Sequence, residues 1–470
     1  MKLICVSGPS GVGKSTISLM LKCLLEKSYI FCGDNYHKYV RSSPIWQTKT
    51  HFDPECNDLA SLEKDLGELI STGSSFVRHY NHDTGVFDDL DRVTIDSDTI
   101  VIYEGLHSFY LQNIIPDLKI YVDTDENLAT EWKIRRDCAK RGYTEDQVRD
   151  IISKRRPDEL RYIKSERSSA DIIIKFEQCR DCIDISYIPS TTRGEDDSVK
   201  ELMSKLVHLY RSMTDYIKYS RRVASNVNLV QNSGGNLSYK VADDLMIIKS
   251  SGSCMNDCSL FDGYSICKIS RRYYREEQEY DDELEYAAKY CKPSMEYGFH
   301  ANLEYPVVLH VHPLNLLSIL CSKESRTIFF ENFKNTSING PLIEYTTPGY
   351  ELTNRILDEN KNTPIYYLEN HGLIVCGNTF QEVIDIASHI EKYSADILDK
   401  MCFNKPFIKN ASTTGKIYPD HAVFPERNSD YANYVLKNMI NCGLTPMYLS
   451  DEEISKLLQK PSEIYRKAKS

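Results

Sequence analysis

The run Gly8-Pro9-Ser10-Gly11-Val12-Gly13-Lys14-Ser15 fits the pattern G-x-x-x-x-G-K-[ST] and constrains the fold around it more than any other segment of the chain. It follows an apolar strand candidate, Leu3–Ser7, and precedes a stretch, Thr16–Leu25, that opens as a helix. Glycines let successive backbone N–H groups close around phosphate oxygens, and the helix N-terminus adds partial positive charge at the same point. Lys14 is placed to reach the β- and γ-phosphates of ATP, and the Ser15 hydroxyl to ligate Mg²⁺. Gly8, Gly11, Gly13, Lys14, Ser15 and Thr16 are therefore the candidate nucleotide-binding residues.

The first 190 residues alternate short β-rich runs with helical stretches, the pattern of a mostly parallel α/β sheet. The strand candidates are Leu3–Ser7, Tyr29–Gly33, Thr99–Tyr103, Leu118–Val122 and Ile172–Phe176, each apolar at nearly every residue, as strands covered on both faces are. The polar stretch Pro189–Asp197 reads as a linker, and Leu202, Leu206, Leu209 and Tyr210 beyond it fall at helical spacing. The rhythm changes from about Val227. At 470 residues the chain is too long for one core, and two α/β domains are expected, over 1–190 and 198–470.

Composition narrows the class. Hydrophobic residues are 41% and charged residues 27%, which offers enough apolar material for packed domains. The net charge of −11 disfavours a nucleic-acid-coating protein. No apolar run approaches the ~18 residues of a membrane span, and residues 1–10 lack the pattern of a signal peptide. Fifteen irregularly spaced cysteines are then expected to be reduced thiols of a cytoplasmic protein, with the C-x-x-C pair Cys179 and Cys182 incidental.

Phosphoryl transfer needs a carboxylate on the metal side and one for the acceptor hydroxyl. Asp34 and Glu104 each follow or end a strand at the carboxyl edge, where ligands gather in such sheets. Asp34 is the candidate base and Glu104 the candidate metal-side acid, although a loop acid or helix cap has the same placement. Lys133, Arg135, Arg136, Lys140 and Arg141 cluster on one helix candidate.

With His51-Phe-Asp-Pro-Glu-Cys-Asn57, Tyr80-Asn-His-Asp-Thr-Gly85, Glu104-Gly-Leu-His107 and Trp132–Gly142, residues 1 to about 178 resemble phosphoribulokinase, in the wider uridine kinase group. The resemblance implies ATP, Mg²⁺ and transfer to a hydroxyl of a pentose, a pentulose, its phosphate or a nucleoside. It matches Asp34 to the general base and Glu104 to the metal-side acid. It also matches His37 and Arg41 to sugar-binding positions, Tyr80 and His82 to the substrate loop, and Arg136 and Arg141 to lid arginines.

In the second half, His310-Val-His312 ends an apolar run, and histidines at i and i+2 of a strand point to one side. His371 follows in Glu369-Asn-His-Gly-Leu-Ile374. Three neutral imidazoles leave an open position on Zn²⁺, the layout of a catalytic site, although a structural His-x-His pair is common. Gly234–Ser238 and Ser250–Gly252 are turns rich in N–H and hydroxyl donors, and Glu296 lies upstream of the histidines, where it is a candidate proton carrier or a helix-start acid.

In order, Gly-Asn-Leu-Ser, Ser-Ser-Gly, Pro-Ser-Met-Glu, His-Val-His-Pro, Tyr345-Thr-Thr-Pro-Gly349 and Glu-Asn-His-Gly-Leu resemble the class II aldolase and adducin family, and within it fuculose-phosphate aldolase. The resemblance covers about 200–400, with Leu449-Ser-Asp-Glu-Glu453 a candidate extension. It implies His310, His312 and His371 as zinc ligands, Glu296 as acid/base, and Asn236, Ser251, Gly252 and Ser294 as a phosphate pocket. It also implies a homo-oligomer, by analogy a tetramer. Two positions depart: Met295 stands where the family has a second serine, and the region of the family's catalytic tyrosine falls near Glu331.

The expected function is bifunctional, an ATP-dependent sugar or nucleoside kinase joined to a zinc-dependent lyase of a ketose 1-phosphate. A pentulose-phosphate epimerase or dehydratase in the second half is the alternative, and a silent adducin-like oligomerisation module is a third reading. The partners expected are a small sugar or sugar phosphate, with no nucleic acid and no membrane.

Overall fold

In the computed structural model of the chain, which describes all residues except 82–83, 180–181, 261, 288–290, 360–362, 403–414 and 470, the apolar run Leu3–Ser7 forms strand β1, buried at every position. It lies inside a six-stranded sheet with β2 (Ser28–Cys32), β3 (Ile100–Glu104), β4 (Leu118–Thr124), β5 (Ile172–Gln178) and β6 (Ile183–Pro189), in the order β6-β5-β4-β1-β3-β2. Every pairing is parallel except that of β6 with β5. The five expected strands are present. β2 stops at Cys32 because Gly33 enters a 3₁₀ turn, Gly33–Tyr36, which carries Asp34. β6 was not expected: as an antiparallel strand half open to solvent it alternates in burial, whereas the centres of the parallel strands β1, β3, β4 and β5 are mostly apolar and buried.

The helices of this unit are α1 (Lys14–Leu24), α2 (Leu59–Thr72), α3 (Glu126–Arg141) and α4 (Glu145–Asp158). α2 buries Leu62, Leu66 and Leu69 in a core shared with Leu3, Phe31 and Tyr103. α3 opens where the Asp125 carboxylate accepts from the N–H groups of Asn127 and Leu128, and it ends at Gly142 in the left-handed region, φ +68°. α4 opens with a reciprocal capping box between Thr144 and Gln147. The chain divides into two units, Met1–Arg211 and Ser212–Ser470, and the division falls inside α5 (Asp197–Ala224), where Leu206, Leu209 and Tyr210 are buried at the expected helical spacing.

The second unit is built on a seven-stranded mixed sheet. Its strands are β7 (Asn236–Ala242), β8 (Leu245–Lys249), β9 (Tyr264–Lys268), β10 (Val307–Val311), β11 (Leu342–Ile343), β12 (Ile365–Leu368) and β13 (Gly372–Gly377). Their order is β9-β8-β7-β10-β13-β12-β11, antiparallel except for β11 with β12. The helices are α6 (Glu277–Ala287), α7 (Tyr297–Asn302), α8 (Leu314–Leu320), α9 (Ser325–Asn332), α10 (Tyr350–Leu357), α11 (Phe380–Cys402), α12 (Pro419–Val423), α13 (Pro425–Cys442), α14 (Asp451–Gln459) and α15 (Pro461–Lys469). Phe299 of α7, Val308 of β10, Ile356 of α10 and Ile374 of β13 belong to one fully buried core.

One expectation is corrected here. Cys402 and Cys442 form a disulfide between the ends of α11 and α13, so the cysteines are not all reduced thiols. The two helices pack together and bring residues 40 apart in sequence to a Cα separation of 4.4 Å, which no local pattern reveals. Cys179 and Cys182, between β5 and β6, form no disulfide. Among the described residues no helix is long and apolar enough to cross a membrane.

Leu66 is fully buried at the centre of the first unit's core. Leu66→Ala is expected to lower the stability of this unit by about 2–5 kcal/mol, the cost of lost burial plus an unfilled cavity. Denaturant melts followed by circular dichroism measure it.

Two candidate active sites

In the first unit the glycine loop sits at the carboxyl end of β1. Gly8, Gly11 and Gly13 have φ values of +143°, +89° and +97°, and a Cβ on Gly8 would lie 2.5 Å from the Val122 carbonyl oxygen. Only glycine meets both demands. Lys14 is buried at the start of α1 and its Nζ donates to the Pro9 carbonyl at 2.9 Å. Burial lowers its pKa, although the carboxylates of Asp34 and Glu104 pull the other way. The Ser15 hydroxyl donates to Glu104 Oε1 at 2.7 Å. Glu104 ends β3 opposite Val6 of β1, and burial raises its pKa. A hydroxyl and a carboxylate side by side are the hard oxygen donors that suit Mg²⁺. Thr16 follows in the first turn of α1.

Asp34, His37, Arg41, Tyr80 and Arg141 line one cavity of 270 Å³, together with Ser10 of the glycine loop. His37 Nδ1 lies 2.9 Å from Asn57 Oδ1, whose amide nitrogen donates to the carbonyls of His51 and Asp53. The amide oxygen can only accept, so His37 Nδ1 is the donor in this bond. The Tyr80 hydroxyl donates to the Gly85 carbonyl at 3.1 Å, and its ring meets His37 edge-on. Arg136 is not among the lining residues. It donates to Asp137 at 2.9 Å, beside Lys133 at 3.2 Å and Arg141 at 3.3 Å, so one buried carboxylate gathers three cations. Burial opposes the ionisation of Asp137, and Arg136, Lys133 and Arg141 overcome it and lower its pKa. His82 lies outside the described residues.

Sequence reasoning passed over Arg155. It comes from α4, lines this cavity, and also lines a second one of 280 Å³ bordered by Pro9, Ser10, Val12 and Lys133. The only local signal is the pair Arg155-Arg156 at the end of a charged helix, indistinguishable there from a solvated face.

In the second unit β10 carries His310, and its register sets Asn236 of β7 opposite it on one side and Ile374 of β13 on the other. The β12–β13 turn presents His371, helped by Asn370 in the left-handed region at φ +52°. The Asn370 amide donates to the carbonyls of Ile417 at 2.9 Å and Met447 at 2.7 Å. The ligand atoms of His310, His312 and His371 lie within 4.8 Å of one another. His310 Nδ1 donates to the Leu373 carbonyl at 3.1 Å, His312 Nδ1 faces Asp420 Oδ2 at 3.3 Å, and the two Nε2 atoms are 3.0 Å apart. With both Nδ1 atoms committed as donors, two Nε2 lone pairs converge, an arrangement that a cation such as Zn²⁺ satisfies. Burial lowers the His310 pKa to about 4 and keeps His371 neutral as well.

Glu296 precedes α7 without capping it. Its carboxylate lies 3.6 Å from His310 Nε2 and 3.4 Å from His371 Nε2, and it accepts from Asn236 Nδ2 at 2.7 Å. Behind Asn236 stands a buried relay: Ser238 Oγ pairs with His300 Nδ1 at 2.7 Å, and His300 Nε2 pairs with Asn236 Oδ1. An amide oxygen accepts only, so the His300 proton sits on Nε2, and the Asn236 NH₂ is left to face Glu296 and Ser294.

Asn236, Ser251, Gly252, Ser294, Glu296, His312 and His371 line one cavity, with Met295 also on its wall. Four charged lining residues had not been singled out: Lys249, Asp420, Glu463 and Arg466. Lys249 is buried, and burial followed by the nearby Arg466 brings its pKa down to about 8. Gly252 has φ +78°, and a Cβ there would meet the Lys469 side chain at 2.9 Å, so α15 packs directly on this turn. Glu331 is exposed on α9 and does not line the cavity. Ser450 and Glu453, in the segment read as an extension of the resemblance, form the capping box of α14.

Residues 3–182 match the Phosphoribulokinase / Uridine kinase family, and residues 214–397 match the Class II Aldolase and Adducin N-terminal domain. Phosphoribulokinase of Synechocystis sp. is 33% identical over 177 residues, 37% of this chain and 53% of that protein. Phosphoribulokinase of Sinorhizobium medicae is 34% identical over 198 residues, 36% of this chain and 68% of that protein. The chain thus spans about half the length of the first of these relatives and two thirds of the second. The solved phosphoribulokinase of Rhodobacter spheroides aligns at 29% identity and a TM-score of 0.33, over 42% of this chain and 82% of that one.

Glu166 carries a pH prediction for the first unit. Burial raises its pKa to about 8, and of its two oxygens Oε2 accepts from the Phe109 N–H at 3.3 Å. In the unfolded chain a glutamate titrates near ~4.3. Between those values the folded state holds the extra proton, so this group makes stability fall as pH rises through the window. Glu166→Gln is expected to flatten that slope and to leave the variant more stable than the parent at pH 9. Denaturant melts at pH 5, 7 and 9 measure the difference.

Proposed function

The chain belongs to the phosphoribulokinase / uridine kinase family through its N-terminal unit, fused to a class II aldolase/adducin-like unit, and from that premise we propose that it is a bifunctional enzyme of sugar-phosphate chemistry. The first unit transfers the γ-phosphoryl group of ATP to a hydroxyl of a pentose, a pentulose, its phosphate or a nucleoside. The second cleaves or forms a ketose 1-phosphate by an aldol reaction.

For the kinase, the supporting observation is the cavity shared by Asp34, His37, Arg41, Arg141 and the glycine loop. Asp34 takes the proton of the acceptor hydroxyl, and Lys14 follows the β- and γ-phosphates. Ser15 and Glu104 would hold Mg²⁺, which when bound neutralises charge on the transferring group. Arg41, Arg141 and Arg155 together favour an acceptor that already carries a phosphate.

For the lyase, the supporting observation is Glu296 set against two of three convergent histidines. His310, His312 and His371 would hold Zn²⁺, which when bound acts as a Lewis acid toward charge developing on a substrate oxygen. Glu296 moves the proton at the adjacent carbon, with Asn236 keeping its carboxylate in position. Ser251, Gly252, Ser294, Lys249 and Arg466 supply the donors for the substrate phosphate.

A ³¹P NMR time course with ATP, Mg²⁺ and Zn²⁺ against ketopentoses, ketohexoses, their phosphates and uridine tests both halves. An ATP-dependent phosphate ester and a triose phosphate are the expected products. Asp34→Asn should reduce ester formation by about 10²–10⁴-fold and spare the triose, and Glu296→Gln should do the reverse. No ester from any acceptor overturns the kinase half. An isomer without a triose moves the second unit to the epimerase reading, and no change in any sugar phosphate moves it to a binding module.

A further inference from the structure

Residues 415–470 lie beyond the aldolase-like match, yet they deliver a buried carboxylate to the metal histidines. Asp420, in α12, is 4% exposed. Its Oδ2 lies 3.3 Å from Nδ1 of His312, on the side of the ring away from the convergent Nε2 atoms. Its Oδ1 accepts from Nη2 of Arg466, in α15, at 2.6 Å. Arg466 is itself held by Glu463 at 3.2 Å. The backbone leaves room for this approach, because a Cβ on Gly234 would sit 2.3 Å from Asp420 Oδ2 and 3.0 Å from His312 Nδ1.

We propose that Asp420 is a positioning residue of the three-histidine centre, clamped by Arg466, so that the C-terminal helices form part of the metal site. This rests on the reading of His310, His312 and His371 as zinc ligands. A histidine offers Nε2 to a cation only while its proton resides on Nδ1, and the acceptor at Nδ1 decides both the tautomer and the rotation of the ring. His310 has a backbone carbonyl for this purpose, fixed by the sheet. His312 stands just past the end of β10, and among the described residues its Nδ1 faces a side chain from the far end of the unit. A carboxylate there is the stronger acceptor and makes Nε2 the better donor. Arg466 occupies the other oxygen, which turns Oδ2 toward the ring.

Zinc affinity of the full-length protein, measured by competition with a chromophoric chelator, tests the clamp without needing a substrate. In Asp420→Asn the amide oxygen turns to Arg466 and its NH₂ faces His312, which drives the imidazole proton onto Nε2. The expected loss of zinc affinity is about 10–100-fold. Arg466→Gln should weaken zinc binding in the parent and add little in the Asp420→Asn background, since both act through one contact. Asp420→Asn should also add nothing once His312 is replaced by Asn, and should keep its full effect beside His371→Asn; a merely structural role would lower affinity equally in both backgrounds. Should Asp420→Asn fail to fold, Arg466→Gln and Gly234→Ala, which keep the carboxylate, report the same coupling. Affinities within twofold of the parent in folded variants overturn the clamp and leave the zinc reading standing. A parent protein that binds no zinc overturns both.

Discussion

A charge removed from water must meet a partner inside the protein, and both units are arranged around that requirement. In the first, Asp137 is nearly inaccessible and ties together Lys133, Arg136 and Arg141 along α3. That shared anion keeps a crowded row of cations beside the cavities next to the glycine loop instead of letting them repel one another outward. In the second unit Asp420 does the same work between Arg466 and His312. In neither place does the buried pair need to add net stability; its effect is to hold cationic and imidazole groups in one geometry.

The parts of this arrangement that were legible in the sequence are those whose chemistry and position repeat locally. The glycine loop, its strand and its helix are contiguous, so Lys14 and Ser15 could be placed from spacing alone. His310 and His312 share a side because β-strands have a period of two, and the strand is present. Asp34 and Glu104 were legible as residues at the carboxyl edge of strands, and the pattern does not distinguish that placement from a helix cap. In the second unit the Glu296 side chain makes no capping bond to α7, which local sequence could not foretell.

What the sequence left hidden is long-range. Arg155 reaches the cavity lined by Asp34 and His37 because α4 folds back beside α3, and its own neighbourhood reads as a solvated charged helix. Asp420 and Arg466 belong to a stretch without a recognisable motif; α15 packs on Gly252 and carries Arg466, while α12 brings Asp420 past Gly234 to His312. The Cys402–Cys442 disulfide is hidden for the same reason. Arg136 is a different case: it occupies the motif position but pairs with Asp137, and Asp137 rather than Arg136 lines the cavity.

The strand order of the first sheet has a temporal consequence. β1 is wholly buried and lies between β3 and β4, which begin at residues 100 and 118. During synthesis at about 5–20 residues per second, β1 therefore waits roughly 5–25 s before both of its neighbours exist. For that interval the nascent chain displays an unpaired hydrophobic strand with a flexible glycine loop behind it, the kind of surface that chaperones bind and aggregates recruit. The glycine loop behind β1 thus acquires its fixed shape only after both neighbours of β1 have been made.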